Sequence, residues 1–310
     1  MTFLHLQADL TSGLTFFERG WLSSNNVMLR DEHQAILIDT GYWIHSTQTL
    51  DLVRSSLGSQ ALTRIINTHL HSDHCGGNAA LQTVFPSVEI LIPPGHANSV
   101  FDWDPVALTY TPTGQHCPAF NAHAVIRPGD RFIVAQREWM ALAAPGHDPH
   151  SIILFCNESG VLISADALWE NGFGVVFPEI EGIEAFEDVS NTLDLIESLN
   201  VRMVIPGHGA IFQDTRTALS NARSRLASFK SDPRKHAIYA AKVLLKFKLL
   251  ELQTVQVTIF TQWACECDYL ITLHQRYGTG HQFEEWLHEL VLGLEKSGAI
   301  KIKDELLLNA

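Results

Sequence analysis

The stretch "NTHLHSDHCGGN", residues 67–78, contains three histidines and one aspartate within six positions and continues with two glycines. A predicted strand, residues 64–67, precedes this cluster, and residues 76–85 have the pattern of a helix. The cluster therefore lies between a strand end and a helix start, where a rigid scaffold presents functional side chains. Imidazole nitrogens and carboxylate oxygens bind zinc, iron or manganese, so the stretch predicts a metal site.

The spacing within the cluster indicates two groups of ligands. His69 and His71 are two residues apart on extended chain and can converge on one ion. Asp73 and His74 follow where the chain turns into the helix, so they point elsewhere and can hold a second ion. The two glycines allow this turn without Cβ clashes. Two ions need more ligands than these residues supply.

Three further candidate ligands follow apolar strands elsewhere in the chain. They are His147 in "APGHDPHS", Asp166 in "LISADAL" and His208 in "VIPGHG". Each lies among glycine, proline or other turn residues at the end of a predicted strand, which is where a fold positions functional side chains.

The chain between these motifs is rich in predicted strands. They cover residues 35–38, 88–92, 131–134, 138–143, 151–156, 161–164 and 203–205. The strands come in runs, with helices such as 47–57 and 185–199 interspersed. This order favours an α/β fold of layered sheets flanked by helices over a single doubly wound sheet.

The full motif set, HxHxDH with GG, then GH, then a strand ending in aspartate, then PGHG, resembles the metallo-β-lactamase superfamily. The resemblance covers roughly residues 20–210, and "ILIDTG" at residues 36–41 matches the early strand of that family. It implies a four-layer αβ/βα sandwich with the metals at one edge. It also implies that Asp39 is a structural carboxylate that supports a ligand.

The resemblance assigns the ligands to two divalent ions, with zinc expected and iron or manganese as alternatives. His69, His71 and His147 would bind the first ion, and Asp73, His74 and His208 the second. Asp166 would bridge them. A water activated by both ions would attack a carbonyl, and Asp73 would orient this nucleophile or accept its proton.

Candidate substrate-binding residues are less clearly marked. His150 follows His147 by three residues and can donate to a substrate, although a surface role fits equally well. Phe173 and Phe177 follow Asp166 where relatives shape the pocket. Residues 93–130 form a long aromatic-rich insertion, either a lid or a loop held by its own aromatic side chains.

The C-terminal part differs in character from the rest. We predict a catalytic domain over residues 1–213 and a small helical domain, similar to a winged helix, over residues 214–310. The predicted elements of the C-terminal domain are a helix over residues 234–252, a later amphipathic helix, and a hairpin that pairs residues 300–302 with 306–308. No strand is predicted between residues 209 and 300.

Charge and cysteine content limit the partners and the compartment. The 310 residues include 21 basic and 34 acidic ones, a net charge of -13, which argues against nucleic acid and anionic membranes as partners. Residues 1–21 contain neither a signal sequence nor a membrane span, so the cytoplasm is expected. A homodimer is compatible with the sequence. The five cysteines are expected to be reduced, with Cys75 a filler under the site and Cys265 and Cys267 buried.

A basic run in the C-terminal part is interpreted as the solvated face of the helix over 234–252. Its members are Lys230, Arg234, Lys235, Lys242, Lys246 and Lys248. Residues expected on the inward face are Ile238, Ala241, Leu244, Leu245 and Leu249.

These observations lead to a di-metal hydrolase that cleaves a thioester, lactone or ester of a small acyl substrate, without a recognisable glutathione-binding pattern. The alternatives are a metal-dependent ribonuclease or phosphodiesterase, a mononuclear-iron persulfide dioxygenase, and a pure binding role.

Overall fold

The computed structural model describes residues 12–278 and 280–310, and two sheets form the body of this part of the protein. The first sheet has the strand order β1-β2-β3-β4-β5-β6. Its strands are β1 (Leu14–Phe17), β2 (Asn26–Arg30), β3 (Ala35–Ile38), β4 (Arg64–Ile66), β5 (Glu89–Ile92) and β6 (Ala124–Val125). The first three strands pair antiparallel, and β3 to β6 pair parallel.

The second sheet has the order β11-β10-β9-β8-β7. Its strands are β7 (Arg131–Val134), β8 (Arg137–Ala143), β9 (Ile152–Cys156), β10 (Val161–Ala165) and β11 (Met203–Pro206). Strands β7 to β10 form an antiparallel meander, and β11 pairs parallel to β10.

The two sheets pack face to face, and helices cover both outer faces. Ile36 and Ile38 of β3 belong to the apolar core shared with the second sheet, whereas Leu37 belongs to the core under the helices. This alternation follows from the period of two in a strand. Because both faces of the sheets are covered, β9 and β10 are buried at every position.

In the described part of the chain, seven α-helices accompany the two sheets. They are α1 (Ser46–Leu57), α2 (Ser72–Cys75), α3 (Asn78–Val84), α4 (Ala97–Phe101), α5 (Phe177–Glu181), α6 (Phe186–Ser198) and α7 (Thr215–Ser231). Val53 and Leu81 pack on the first sheet, and Leu193 and Phe229 on the second. The predicted α/β class with two sheets between helical layers is confirmed.

The C-terminal part adds four helices and a small sheet. The helices are α8 (Pro233–Leu252), α9 (Val257–Glu266), α10 (Asp268–Tyr277) and α11 (Phe283–Lys296), and the strands are β12 (Thr254–Gln256), β13 (Ile300–Lys303) and β14 (Leu306–Asn309). Helix α8 starts as predicted, because the Asp232 carboxylate accepts a hydrogen bond from the Arg234 N–H.

The prediction of no strand between residues 209 and 300 is wrong. Strand β12 pairs with β14 at the edge of an antiparallel sheet in the order β12-β14-β13. Three residues are too short for an alternation signal, and pairing with the distant β14 defines the strand. The division at residue 213 and the likeness to a winged helix stay predictions. Helix α7, beyond that division, packs in the core of the second sheet.

Helix α8 buries a different set of residues from the predicted one. Ala241, Leu244, Leu245 and Leu249 are buried as expected, but Ile238 is 44% exposed. Lys246 is not on a solvated face: its ammonium donates to the Ala299 carbonyl at 2.6 Å. Helix α8 packs against the C-terminal helices on one side and borders the cavity at the candidate ligands on another. Such a helix buries more than one stripe of residues, whereas the sequence pattern predicted a single buried face.

Two other predictions meet the structure only in part. Among residues 12–278 and 280–310, no helix combines the length and apolar character needed to cross a membrane. The prediction for residues 1–21 falls partly on residues 1–11, which lie outside the described residues. All five cysteines are free thiols, but Cys265 is exposed, since α9 turns it away from the core that buries Cys267.

Candidate metal centre

All seven predicted ligands meet at one edge of the two sheets. His69 and His71 follow β4, His147 lies between β8 and β9, Asp166 follows β10, and His208 follows β11. They form three overlapping groups of side chains whose candidate ligand atoms lie within 4.8 Å of one another. The groups are His69, His71 and His147; His69, His74 and Asp166; and Asp73, His74 and His208.

The first group, His69, His71 and His147, consists of three imidazoles. His71 Nδ1 lies 2.8 Å from His147 Nε2, and the rings of His69 and His71 are 4.6 Å apart between centroids. Burial, with a smaller contribution from the neighbouring His147, lowers the pKa of His71 to about 4. Burial also holds the pKa of His69 well below its usual value. The unprotonated ring is the form that binds a metal ion.

The second group, Asp73, His74 and His208, together with the neighbouring Asp166, contains carboxylates. His208 Nε2 lies 3.1 Å from Asp73 Oδ2, and His74 Nε2 lies 3.4 Å from Asp166 Oδ1. Asp166 Oδ2 lies 3.4 Å from His147 Nε2 and 3.8 Å from His208 Nε2. Asp166 therefore lies between the group of His69, His71 and His147 and the group of Asp73, His74 and His208.

The side chains fit a metal on a second criterion. His69 Nε2 and His74 Nε2 are buried and have no hydrogen-bond partner in the described part of the chain. Buried polar atoms without a partner are rare because desolvation costs about 1–3 kcal/mol each. Both nitrogens belong to the ligand groups, so the residues present fit two divalent cations.

Neighbouring groups fix the orientation of two ligands. Asp39 Oδ2 lies 2.8 Å from His74 Nδ1, and the same carboxylate accepts hydrogen bonds from the Thr68 N–H at 2.9 Å and hydroxyl at 2.8 Å. Burial disfavours protonation of His74, but Asp39 and Asp166 raise its pKa well above the usual value. His147 Nδ1 donates to the Val175 carbonyl at 2.5 Å, which leaves its Nε2 for a metal.

Glycines provide the space that these ligands occupy. A Cβ on Gly76 would lie 2.5 Å from the Ser72 carbonyl oxygen, and one on Gly207 would lie 2.1 Å from Asp166 Oδ1. A Cβ on Gly174 would lie 2.3 Å from His147 Nδ1. Cys75 is fully buried, in agreement with the predicted role of a filler, and its thiol lies 3.2 Å from the Tyr110 hydroxyl.

A cavity of about 80 Å³ opens onto the centre. Asp73, His147, Asp166 and His208 line it, together with Phe177, whose ring centroid is 4.7 Å from that of His71. The predicted insertion contributes Thr109, Tyr110, Thr113 and Gln115 to the wall.

Several residues of the site have no counterpart in the sequence predictions. Trp21 stacks on His208 with 5.4 Å between ring centroids, and Trp169 Nε1 donates to Asp166 Oδ1 at 3.3 Å. Tyr239, Val243 and Phe247 of α8 line the cavity from the C-terminal part. These three residues are four positions apart and therefore form a second apolar stripe on α8. This spacing is the sequence signal that could have indicated their place in the cavity wall.

Two predicted substrate-binding residues lie elsewhere. The ring of His150 packs against Gly95, and its centroid lies 5.0 Å from that of His96. The Asp148 carboxylate accepts a hydrogen bond from the backbone N–H of His150, which turns the chain towards the insertion. Phe173 is 1% exposed and packs against Phe229 in the core of the second sheet. Neither lines the cavity at the metal centre.

Comparison with known proteins agrees with this geometry. The family model described as "Metallo-beta-lactamase superfamily" matches residues 19–208. The chain belongs to this superfamily. The resemblance inferred from the motifs is therefore confirmed, and the chain carries a cluster of histidines and aspartates that could hold metal ions.

Two of the curated relatives that the chain matches are named as a thioesterase and a hydrolase. The chain is 24% identical over 191 residues to an "Atrochrysone carboxyl ACP thioesterase" from Aspergillus fumigatus, covering 62% of this chain and 52% of that protein. It is 27% identical over 212 residues to a "Hydroxyacylglutathione hydrolase" from Cyanothece sp., and the match covers 66% of this chain and 69% of that protein. The chain thus spans about half the length of the first of these relatives.

A solved structure extends the similarity of fold over nearly the whole chain. A metallo-beta-lactamase family protein from Thermus thermophilus has a TM-score of 0.58 at 19% identity, covering 97% of this chain and 100% of that one. The likeness therefore includes the C-terminal helices as well as the superfamily sandwich.

Proposed function

We propose that this protein is a di-metal hydrolase that cleaves the thioester, lactone or ester bond of a small acyl substrate, with a thioester as the first choice. The observation that carries the proposal is the complete ligand set, with Asp166 between the two groups of ligands. The names of the two curated relatives support the thioester.

The candidate ligands would bind two metal ions. His69, His71 and His147 would hold one ion, and Asp73, His74 and His208 the other, with Asp166 shared. When bound, two divalent ions polarise a carbonyl oxygen and lower the pKa of water. Zinc is the expected metal, since its preferred ligands are histidine and aspartate.

Asp73 is the proposed catalytic carboxylate. It lines the cavity, and its Oδ2 lies 3.1 Å from His208 Nε2. Although burial opposes ionisation, His74 and His208 lower the pKa of Asp73, so its carboxylate stays ionised. An ionised oxygen facing the cavity can orient a water molecule and take its proton as the nucleophile attacks.

The aromatic walls complete the site. Trp21, Trp169 and Phe177 pack on or beside the ligands His208, Asp166 and His71. Trp169 and Phe177 are half-buried and present apolar surface beside the ligands, which reduces the access of water and strengthens the electrostatic interactions there.

The test combines metal analysis with a substrate panel of thioesters, lactones, esters and phosphodiesters. We expect about two metal ions per chain and hydrolysis of a thioester that a chelator abolishes. Asp73→Asn should retain folding and lower kcat by about 10²-fold or more. Unchanged activity in this variant, or the same activity after chelation, would refute the mechanism.

The same panel decides between the proposed function and the alternative activities. Cleavage of a phosphodiester alone would favour the ribonuclease class. One iron per chain with oxygen consumption would favour persulfide oxidation, but the full second group, Asp73, His74 and His208, argues for two ions.

A further inference from the structure

A large chamber adjoins the metal centre on the side of helix α8. Its volume is about 630 Å³, and Trp21, Trp169 and His208 line both this chamber and the smaller cavity at the ligands. Pockets of about 300–1,000 Å³ hold whole ligands of drug size. The chamber is therefore large enough for a substrate group that extends well beyond the reacting bond.

One face of α8 forms the apolar wall of the chamber. Tyr239, Val243, Phe247 and Leu250 recur at helical spacing, all four line the chamber, and all four are half-buried. The core face of the same helix, which includes Leu244 and Leu245, is fully buried. Tyr239 and Val243 also pack against the core, so the stripe flanks the core face and keeps part of its surface open to the chamber. An apolar stripe that borders a reaction site favours a hydrocarbon or aromatic ligand.

The charges around the chamber favour an anion. Arg225, Lys242 and Lys246 line it, whereas Glu170 is the acidic member of the lining. The Lys246 ammonium donates hydrogen bonds to the Ala299 carbonyl and to Asn309 Oδ1. Among the described residues no carboxylate pairs with Lys242 or Arg225, and the Arg225 guanidinium lies over the Tyr239 ring at 5.2 Å.

A second cavity at the centre has the opposite charge. It measures about 120 Å³ and contacts His71 and Phe177, but the carboxylates of Asp148 and Glu181 line it. These carboxylates repel an anionic group, and the volume is too small for an extended one. An anionic, extended part of the substrate therefore fits the chamber beside α8.

We infer that this chamber binds the acyl group of the substrate, and that this acyl group is an extended or aromatic one carrying a negative charge. The inference rests on the proposed hydrolysis of an acyl substrate. Thiol carriers are polar, amide-containing chains, whereas the α8 wall offers mainly carbon surface, so the chamber suits the acyl side of the bond. Lys242 is the proposed partner of the anionic group.

The first experiment varies the acyl group at a constant neutral thiol, N-acetylcysteamine. The substrates are the acetyl, octanoyl, 2-naphthoyl and 7-carboxyheptanoyl thioesters, assayed with the metal-loaded full chain. We expect kcat/KM to rise by at least about tenfold from acetyl to octanoyl or naphthoyl, since each buried methylene adds favourable binding. The carboxylated substrate should exceed octanoyl by about fivefold or more.

Matched variants on α8 locate the effect. Val243→Trp fills the chamber and should lower the octanoyl-to-acetyl ratio of kcat/KM by at least about tenfold. Ile238→Trp, on the exposed side of the same helix and outside the chamber, should leave that ratio unchanged. If Val243→Trp does not fold, Leu250→Lys on the same stripe takes its place.

The charge is tested in the same way. Lys242→Glu should remove or reverse the preference for the carboxylated substrate over octanoyl, because the chamber then repels the anion. Lys235→Glu makes the same change in net charge at an exposed position of α8 and serves as the control. An equal loss of preference in both variants would show an effect of overall charge and overturn the role of Lys242.

Binding of product acids gives a readout that needs no turnover. Isothermal titration calorimetry of octanoate, 2-naphthoate and suberate should show binding to the wild type and to Ile238→Trp, and a loss in Val243→Trp. Binding without hydrolysis of any thioester, lactone or ester would defeat the proposed function and leave the chamber assignment standing. Hydrolysis with the same kcat/KM for all four acyl groups would overturn the chamber assignment and leave the function standing.

Discussion

At the scale of single residues, the metal centre depends on groups that touch the ligands as much as on the ligands. Asp39 is 3% exposed and holds Thr68 and His74 through three contacts to one carboxylate. Its backbone adopts φ 56°, a conformation that is unfavourable for most side chains, directly after strand β3. The strain and the buried charge are compatible with folding because both oxygens are engaged.

Asp39→Asn should weaken metal binding. The amide keeps the shape of the side chain but removes the charge that orients His74, and loss of such a support typically costs about 10- to 100-fold in affinity. Competition with a chromophoric chelator measures this change. Asp51→Asn, at an exposed position of α1, is the control. An affinity equal to that of the wild type would exclude a supporting role for Asp39.

Gly207→Ala should displace Asp166. The added Cβ would lie 2.1 Å from Asp166 Oδ1, with backbone at 3.0 Å on the same side, so the carboxylate has to move. We expect fewer bound metal ions per chain, measured by plasma emission spectrometry, together with a lower melting temperature. Gly20→Ala, where a Cβ meets no atom within 4 Å, controls for the change of residue type. A full metal complement in Gly207→Ala would contradict this assignment.

At the scale of elements, helix α8 joins the C-terminal part to the loop that supports a ligand. His236, near the start of α8, is 3% exposed, and its Nε2 accepts a hydrogen bond from the Val176 N–H at 3.0 Å. The adjacent Val175 carbonyl accepts from His147 Nδ1. The helix therefore holds the loop at residues 173–177 in register with the metal centre.

This contact should make stability depend on pH. Burial lowers the pKa of His236 to about 4 from the usual 6.5, so the unfolded chain binds the proton more readily. The stabilisation is complete above pH 6.5 and is lost as pH falls from 6.5 towards 4, by at most about 3 kcal/mol. Urea unfolding of the wild type and His236→Gln at pH 7 and pH 5 measures it. A wild type that loses no more stability than the variant over this interval would contradict the prediction.

At the scale of the whole molecule, the two sheets and the C-terminal helices share their packing. Helix α7 covers the second sheet through Leu219, Leu226 and Phe229. Val175 and Ile180, which precede the predicted boundary at residue 213, belong to the same apolar core as helices α8 to α11. The site thus lies between parts of the chain that stabilise each other.

Truncation after residue 213 should prevent cooperative folding. The shortened chain lacks α7, so Leu162 and Val204 of the second sheet lose part of their cover, and the exposed apolar surface favours association. Urea unfolding followed by circular dichroism, with dye binding to exposed apolar surface, tests this against the full chain. A sharp unfolding transition of the truncated chain would support the predicted boundary at residue 213 and refute our expectation.

The family, most strands of the two large sheets and the set of candidate ligands could be predicted from the sequence alone. Those features are local: each candidate ligand follows an apolar strand in a short motif, so strand periodicity and neighbouring residues indicate its position. The surroundings of the candidate ligands could be read only from the tertiary structure. Trp21, Trp169 and the stripe from Tyr239 to Leu250 are far apart in sequence and meet only through packing. The directions of His150 and Phe173 likewise depend on Asp148 and on the core around Phe229, contacts that no local pattern encodes.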